Sequence, residues 1–252
     1  MNEKKFNGIG ELYAKYRPTY SEHFINYLYT DIGFKKDSII ADIGSGTGIL
    51  TKQLLNRGST VYAVEPNDDM RAIAENDLCM FKNFVSVNSS AENILLDDCS
   101  VDFITVAQAF HWFDKVKFKL ECKRILRTVG KVILVWNSRV YDDDLVNDCD
   151  HVHKKYCPNF KGFEGGMRGA EDEGAYDSFF ASEYDMKVFQ NDQPPCDLTG
   201  FIGRNLSASY ALKEDDDNYN DYVVELTACF NKHAVDCKLI MPQVTKSYVG
   251  CV

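Results

Sequence analysis

The chain has 252 residues, 45% of them hydrophobic and 26% charged, and a formal net charge of −10; this is ordinary globular material with room for one α/β domain carrying insertions, and for two domains at most. An acidic balance with scattered basic residues argues against a nucleic-acid partner, and no apolar run approaches the ~20 residues that cross a bilayer. The polar, lysine-bearing stretch 1–6 has no apolar region behind it, so a cytoplasmic protein without a secretory signal is expected, and nine cysteines with no C-x-x-C pair read as reduced thiols.

Residues 1–37 precede the first strand. Pro18 biases Arg17 away from helix, and Ser21 can cap a helix whose face is Phe24, Ile25 and Leu28. The apolar run Ile39-Ile40-Ala41-Asp42-Ile43 predicts a buried strand, and Gly44-Ser45-Gly46-Thr47-Gly48 lets the backbone turn tightly and approach a ligand. A helix over 49–57 follows, with Leu50, Leu54 and Leu55 on one face and a stop at Gly58. Backbone N–H groups of such a loop point at a bound molecule. G-x-G-x-G is not the dinucleotide spacing, and it suits a ligand without phosphate at this point. The next strand, 60–64, ends in Glu65, whose carboxylate can accept both hydroxyls of a ribose.

Acidic residues in the first turn suit a helix over 68–75, and strands are expected over 84–87 and 100–106. The polar loop 88–92 and the segment Ala107-Gln108-Ala109-Phe110-His111-Trp112 lie at strand ends, where open α/β sheets bind ligands. An amphipathic helix over 114–128, a break at Gly130 and a strand over 131–136 complete an alternation that requires a parallel sheet with right-handed crossovers. From 137 to 185 the pattern loosens; Asp142, Asp143 and Asp144 open a helix, and 161–174 is glycine-rich and charged. A strand over 186–190, helices over 197–205 and 215–233, and a last strand over 246–252 follow, with the aspartates at 215–217 in the first turn of the longer helix. Cys149, His153 and Cys157 share one helix face, but three donors in line over two turns make a poor tetrahedron, so packing and no metal is expected.

Four segments in order, Asp42 to Gly48, Glu65-Pro66-Asn67 with Met70, Ser90-Ala91-Glu92, and Val101-Asp102-Phe103 followed by Ala107 to Trp112, resemble the class I S-adenosylmethionine-dependent methyltransferases. The resemblance covers roughly 39–136. It implies a doubly wound, seven-stranded, mostly parallel sheet with helices on both faces and an antiparallel last strand beside the fifth. It also implies S-adenosylmethionine as cofactor, with Asp42, Gly44, Ser45 and Gly46 at its methionine part, Glu65 at its ribose, Ala91 and Glu92 at its adenine, and Pro66, Met70 and Ser90 as further cofactor contacts. Ala107 and Gln108 would complete the site. Tyr13 to Tyr20 is similar to the N-terminal lid of the trans-aconitate methyltransferase-like, type 11 subgroup, in which Tyr16 and Arg17 would close over cofactor or substrate.

The organisation expected is a single domain with a helical lid over 1–37, a cofactor-binding core over 38–136, an insertion over 137–185 that covers the substrate, and C-terminal strands and helices over 186–252. Methyl transfer from a sulfonium is an in-line displacement that needs a base only when the nucleophile arrives protonated. The expected reaction is methylation of a small molecule, on oxygen of a carboxylic acid, by a monomer or weak homodimer without nucleic-acid or membrane partners. His111 is the candidate base or substrate contact, and Arg17, Arg139, Arg168 and Arg204 are candidate carboxylate clamps. The alternatives are a non-catalytic cofactor-binding protein and a nicotinamide-dependent oxidoreductase.

Overall fold

A computed structural model of the chain describes residues 10–163 and 174–252. Its strands are β1 (Ile39–Ile43), β2 (Thr60–Val64), β3 (Phe84–Val87), β4 (Val101–Ala107), β5 (Leu126–Arg139), β6 (Asp185–Gln190) and β7 (Gln243–Gly250), in one sheet of order β3-β2-β1-β4-β5-β7-β6. The first five pair in parallel, and β7 runs antiparallel between β5 and β6. The helices are α1 (Gly10–Tyr16), α2 (Glu22–Tyr27, continued by a wider turn over Leu28–Ile32), α3 (Ile49–Asn56), α4 (Asp68–Leu78), α5 (Lys115–Ile125), α6 (Asp144–Tyr156), α7 (Ala175–Phe179), α8 (Leu198–Leu206) and α9 (Tyr219–His233).

The central strands are apolar on both sides because helices cover both faces. Ala41, Ile43, Ile104, Val106, Val132 and Leu134 pack on one face with Phe118, Cys122 and Phe179. Ile40, Phe103, Ile133 and Val135 pack on the other with Phe24, Leu28, Leu54 and Leu78. A third cluster joins α6, α8 and α9 through Cys149, Val152, Phe201, Tyr222, Leu226 and Phe230. The cover therefore draws on residues beyond 185 as well as on the expected insertion, whose own α7 packs against the sheet.

Several expected boundaries change. The helix predicted over 114–128 ends at Ile125, and β5 runs from Leu126 through Gly130 without a break. Val101 pairs with Leu126 and Phe103 with Lys131, so the register shifts between them; a Cβ at Gly130 would lie 2.8 Å from the Asp102 carbonyl, and glycine makes this close approach possible. The helix expected over 68–75 continues to Leu78, which is buried against α3 and Phe81. The acidic run 215–217 precedes α9 instead of opening it, and Asp216 accepts from the Lys213 N–H at 2.7 Å. His153, of the Cys149, His153 and Cys157 helix face, is buried and hydrogen-bonded to Asn205 Oδ1 at 3.1 Å and to the Tyr222 hydroxyl at 3.0 Å.

Asp42, at the end of β1, is fully buried and accepts from Thr51 Oγ1 at 2.6 Å and Thr105 Oγ1 at 2.8 Å, tying β1 to α3 and β4. Burial outweighs these hydrogen bonds and pushes its carboxyl up to about 6. A carboxyl that holds its proton more tightly in the folded state than in the unfolded one adds stability at low pH and withdraws it as pH rises from about 4 through about 6. Asp42→Asn is expected to gain up to about 3 kcal/mol on the wild type above that window and nothing below it. Urea unfolding across pH 3.5 to about 8 checks this; a pH-independent difference would contradict it.

Candidate functional site

The site is built at the carboxyl ends of β1, β2 and β4. In the loop after β1, Gly44, Gly46 and Gly48 take φ of 67°, 57° and 82°, a region open to glycine and costly for other residues. A Cβ at Gly44 would strike Ala109 Cβ at 2.6 Å, whereas one at Gly46 would meet no protein atom within 4 Å. Gly46 therefore faces open space, and it lines the cavity described next. The Glu65 carboxylate stands across from it, accepting from the Gly46 N–H through Oε2 at 2.9 Å and from the Asn67 N–H through Oε1 at 2.8 Å. Burial raises its pKa and these two N–H groups oppose the rise. Each oxygen keeps a lone pair, which suits a vicinal diol.

One cavity is lined by Tyr13, Gly44, Gly46, Glu65, Pro66, Met70, Ser90, Ala91, Glu92, Ala107, Gln108, Trp112 and Phe113. Its polar half is the carboxylate and loop backbone. Its apolar half, with Met70, Ala91 and Phe113, is suited to a flat aromatic ring. Ser45 Oγ and Thr47 Oγ1 in the glycine loop are buried without a partner among the described residues. The open space at Gly46 and the oriented Glu65 carboxylate fit a nucleoside carrying an amino-acid tail.

A second cavity shares Tyr13 and Gln108 with the first and is lined further by Arg17, Tyr20, Asn137, Arg139, Arg204 and Gln243. Arg17 Nη2 donates to the Ser207 carbonyl at 3.1 Å, and Arg204 donates to Gln243 Oε1. Burial, followed by the charges of Arg139 and Arg17, holds the Arg204 guanidinium well below its ordinary pKa, and burial lowers Arg139 as well. Among the described residues, no carboxylate forms an ion pair with any of the three. Arg17 Nε and Gln243 Nε2 are buried and unpartnered among the described residues. Unpaired donors and positive charge converge here, the complement of a carboxylate.

Of the residues singled out in the sequence, Gly44, Gly46, Glu65, Pro66, Met70, Ser90, Ala91, Glu92, Ala107 and Gln108 line the first cavity. Asp42 lies beneath it, and Ser45 does not line it. Tyr16 sits against Gly203 of α8, and Arg17 lines the second cavity instead of the first. His111 reaches neither; its ring is held between Trp112 and Trp136 at centroid distances of 4.3 and 5.3 Å. Arg168 lies outside the described residues. Phe113 and Gln243 were not foreseen: Phe113 follows the His-Trp pair directly, and Gln243 precedes the strand expected from 246.

The N-terminal segment is anchored as well as contributing Tyr13 to both cavities. Asn137 and Asn191 donate to the Thr19 carbonyl, each at 3.0 Å, and the Ser21 N–H donates to Thr245 Oγ1 at 3.0 Å. Deleting residues 1–20 is expected to leave the sheet folded and to raise the dissociation constant for S-adenosylhomocysteine, because Tyr13 lines both cavities. Circular dichroism with calorimetric titration checks this; loss of the fold would make the segment structural.

Residues 41–134 match a protein family described as a methyltransferase domain. An uncharacterized methyltransferase of Mycobacterium tuberculosis is 39% identical over 127 residues, which are 50% of this chain and 49% of that protein. A candidate methyltransferase of Dictyostelium discoideum is 36% identical over 154 residues, 61% of this chain and 56% of that one. The crystal structure of a candidate methyltransferase from an antibiotic biosynthesis pathway of Anabaena variabilis matches with a TM-score of 0.62 at 21% identity, over 90% of this chain and 96% of that chain. The last is a likeness of fold. The chain spans about half the length of the curated relatives it matches. Among the described residues, no helix is long and apolar enough to cross a membrane.

Proposed function

We propose that this chain, whose residues 41–134 match a family described as a methyltransferase domain, transfers the methyl group of S-adenosylmethionine to an oxygen of a small carboxylic acid. The observation that carries the substrate reading is the second cavity, where Arg17, Arg139 and Arg204 converge and which shares Tyr13 and Gln108 with the first.

In this reading Glu65 takes the ribose hydroxyls, the backbone of Gly44 and Gly46 runs along the methionine part, and Ser90, Ala91, Glu92 and Phe113 surround the adenine. When bound, the cofactor supplies an electrophilic methyl on a sulfonium. The arginines hold the substrate carboxylate and turn one of its oxygens toward the shared wall at Gln108. Gln108 is fixed for this by its own backbone, with φ of 58°, and by a 2.9 Å hydrogen bond from Nε2 to the Asn137 carbonyl. Positioning is the main source of rate in such a displacement. A carboxylate is ionised at neutral pH and requires no base, which agrees with the position of His111 away from both cavities.

The test is a panel of di- and tricarboxylates, phenols and amines assayed for S-adenosylhomocysteine release. Turnover of carboxylates is expected, reduced in Arg17→Ala and retained in His111→Ala. Turnover confined to amines or phenols would overturn the proposal.

A further inference from the structure

We propose that α6 and α9 hold a thiophilic divalent cation of the zinc type between Asp148, Cys229 and His233, with Cys149 as the fourth donor. A carboxylate oxygen of Asp148, the Sγ of Cys229 and a ring nitrogen of His233 lie within 4.8 Å of one another. Cys229 and His233 are four residues apart on α9 and so share a face. Asp148 and Cys149 are neighbours on α6, the helix packed against it.

The Cys149 and Cys229 sulfurs are 3.6 Å apart. Two thiolates bound to tetrahedral zinc at ~2.3 Å stand roughly 3.8 Å apart, so this pair already has the needed spacing. His233 Nε2 and Asp148 Oδ2 touch at 2.5 Å and would open by about 1 Å to admit an ion between them. Two sulfurs, an imidazole and a carboxylate make a donor set that favours zinc over calcium or magnesium.

The two sides of the site differ in access. Cys149 is completely buried and Cys229 is 6% exposed, whereas Asp148 and His233 reach the surface, so an ion enters past the carboxylate. Lys232 Nζ, on an exposed side chain, now lies 2.7 Å from Asp148 Oδ2 and would swing away. None of these residues lines the two cavities described above. The ion would clamp α6 to α9 within the helical cluster that joins α6, α8 and α9.

Cobalt titration of the reduced, chelator-treated full chain tests this. Saturable binding of one equivalent with a sulfur-to-cobalt charge-transfer band and tetrahedral ligand-field absorption is expected. Cys229→Ser and His233→Ala should each weaken binding by at least about tenfold, the loss that removal of even an outer partner of a metal ligand brings. Cys149→Ser should lower the charge-transfer intensity, and Lys232→Ala should bind more tightly because Asp148 is released. Unchanged S-adenosylhomocysteine affinity in these variants would show that the site for cofactor is intact and the fold is kept. No saturable cobalt absorption in the reduced protein, a band unchanged in both ligand variants, or no gain in Lys232→Ala would overturn the assignment.

Discussion

Replacing Arg204 with methionine is expected to give a more stable protein that no longer turns over carboxylates efficiently. Arg204 and Arg139 are both held below the ordinary arginine range by burial, and the charges of Arg139 and Arg17 add to the effect at Arg204. A cluster of like charges without a carboxylate among the described residues costs folding free energy, and an apolar side chain of similar length removes part of that cost. Each kcal/mol relieved should raise Tm by about 2–4 °C in a chain of this size. On the proposed reading the same substitution deletes a charge-assisted hydrogen bond to substrate of ~1.5–3 kcal/mol, or about ten- to hundredfold in kcat/KM. Thermal unfolding and kinetics on one preparation check both halves. A lower Tm with unchanged turnover would make Arg204 a structural residue.

Glu65→Ala should weaken binding of S-adenosylhomocysteine by roughly 1–3 kcal/mol, since the Gly46 and Asn67 N–H groups and, on the proposed reading, the ribose hydroxyls would all lose their acceptor. Glu65→Gln retains one acceptor oxygen and should fall between wild type and alanine. Calorimetric titration measures the difference. Unchanged affinity in Glu65→Ala would remove the residue from the site.

Much of this site is legible in the sequence because it is local. The run Ile39 to Ile43, the glycines that follow and Glu65 at the end of the next strand each mark their place through patterning and backbone freedom, and a parallel sheet brings consecutive strand ends together. The antiparallel insertion of β7 beside β5 came from family resemblance, since nothing in the alternation of residues 246–252 sets its partner. What stayed illegible depends on long-range contact. Arg17, Arg139 and Arg204 look like surface arginines one at a time, and only the docking of α1 and α8 over the end of β5 brings them to one cavity. Cys149 reads as part of a single helix face with His153 and Cys157, whereas its sulfur lies against Cys229 on another helix. The helix expected through 128 stops at Ile125, since nothing local in Leu126, Arg127 and Thr128 marks the boundary and the pairing of Leu126 with Val101 decides it.

The most direct measurement is the fate of the methyl group in a reaction with labelled S-adenosylmethionine and the best carboxylate of the panel. The account predicts label in a small acid as a methyl ester, which alkali releases as labelled methanol, with one S-adenosylhomocysteine formed per ester and the yield falling in Arg204→Met and Glu65→Ala. Label that resists alkali, in an ether or amine product, or the absence of transfer to any acid despite cofactor binding, would contradict it.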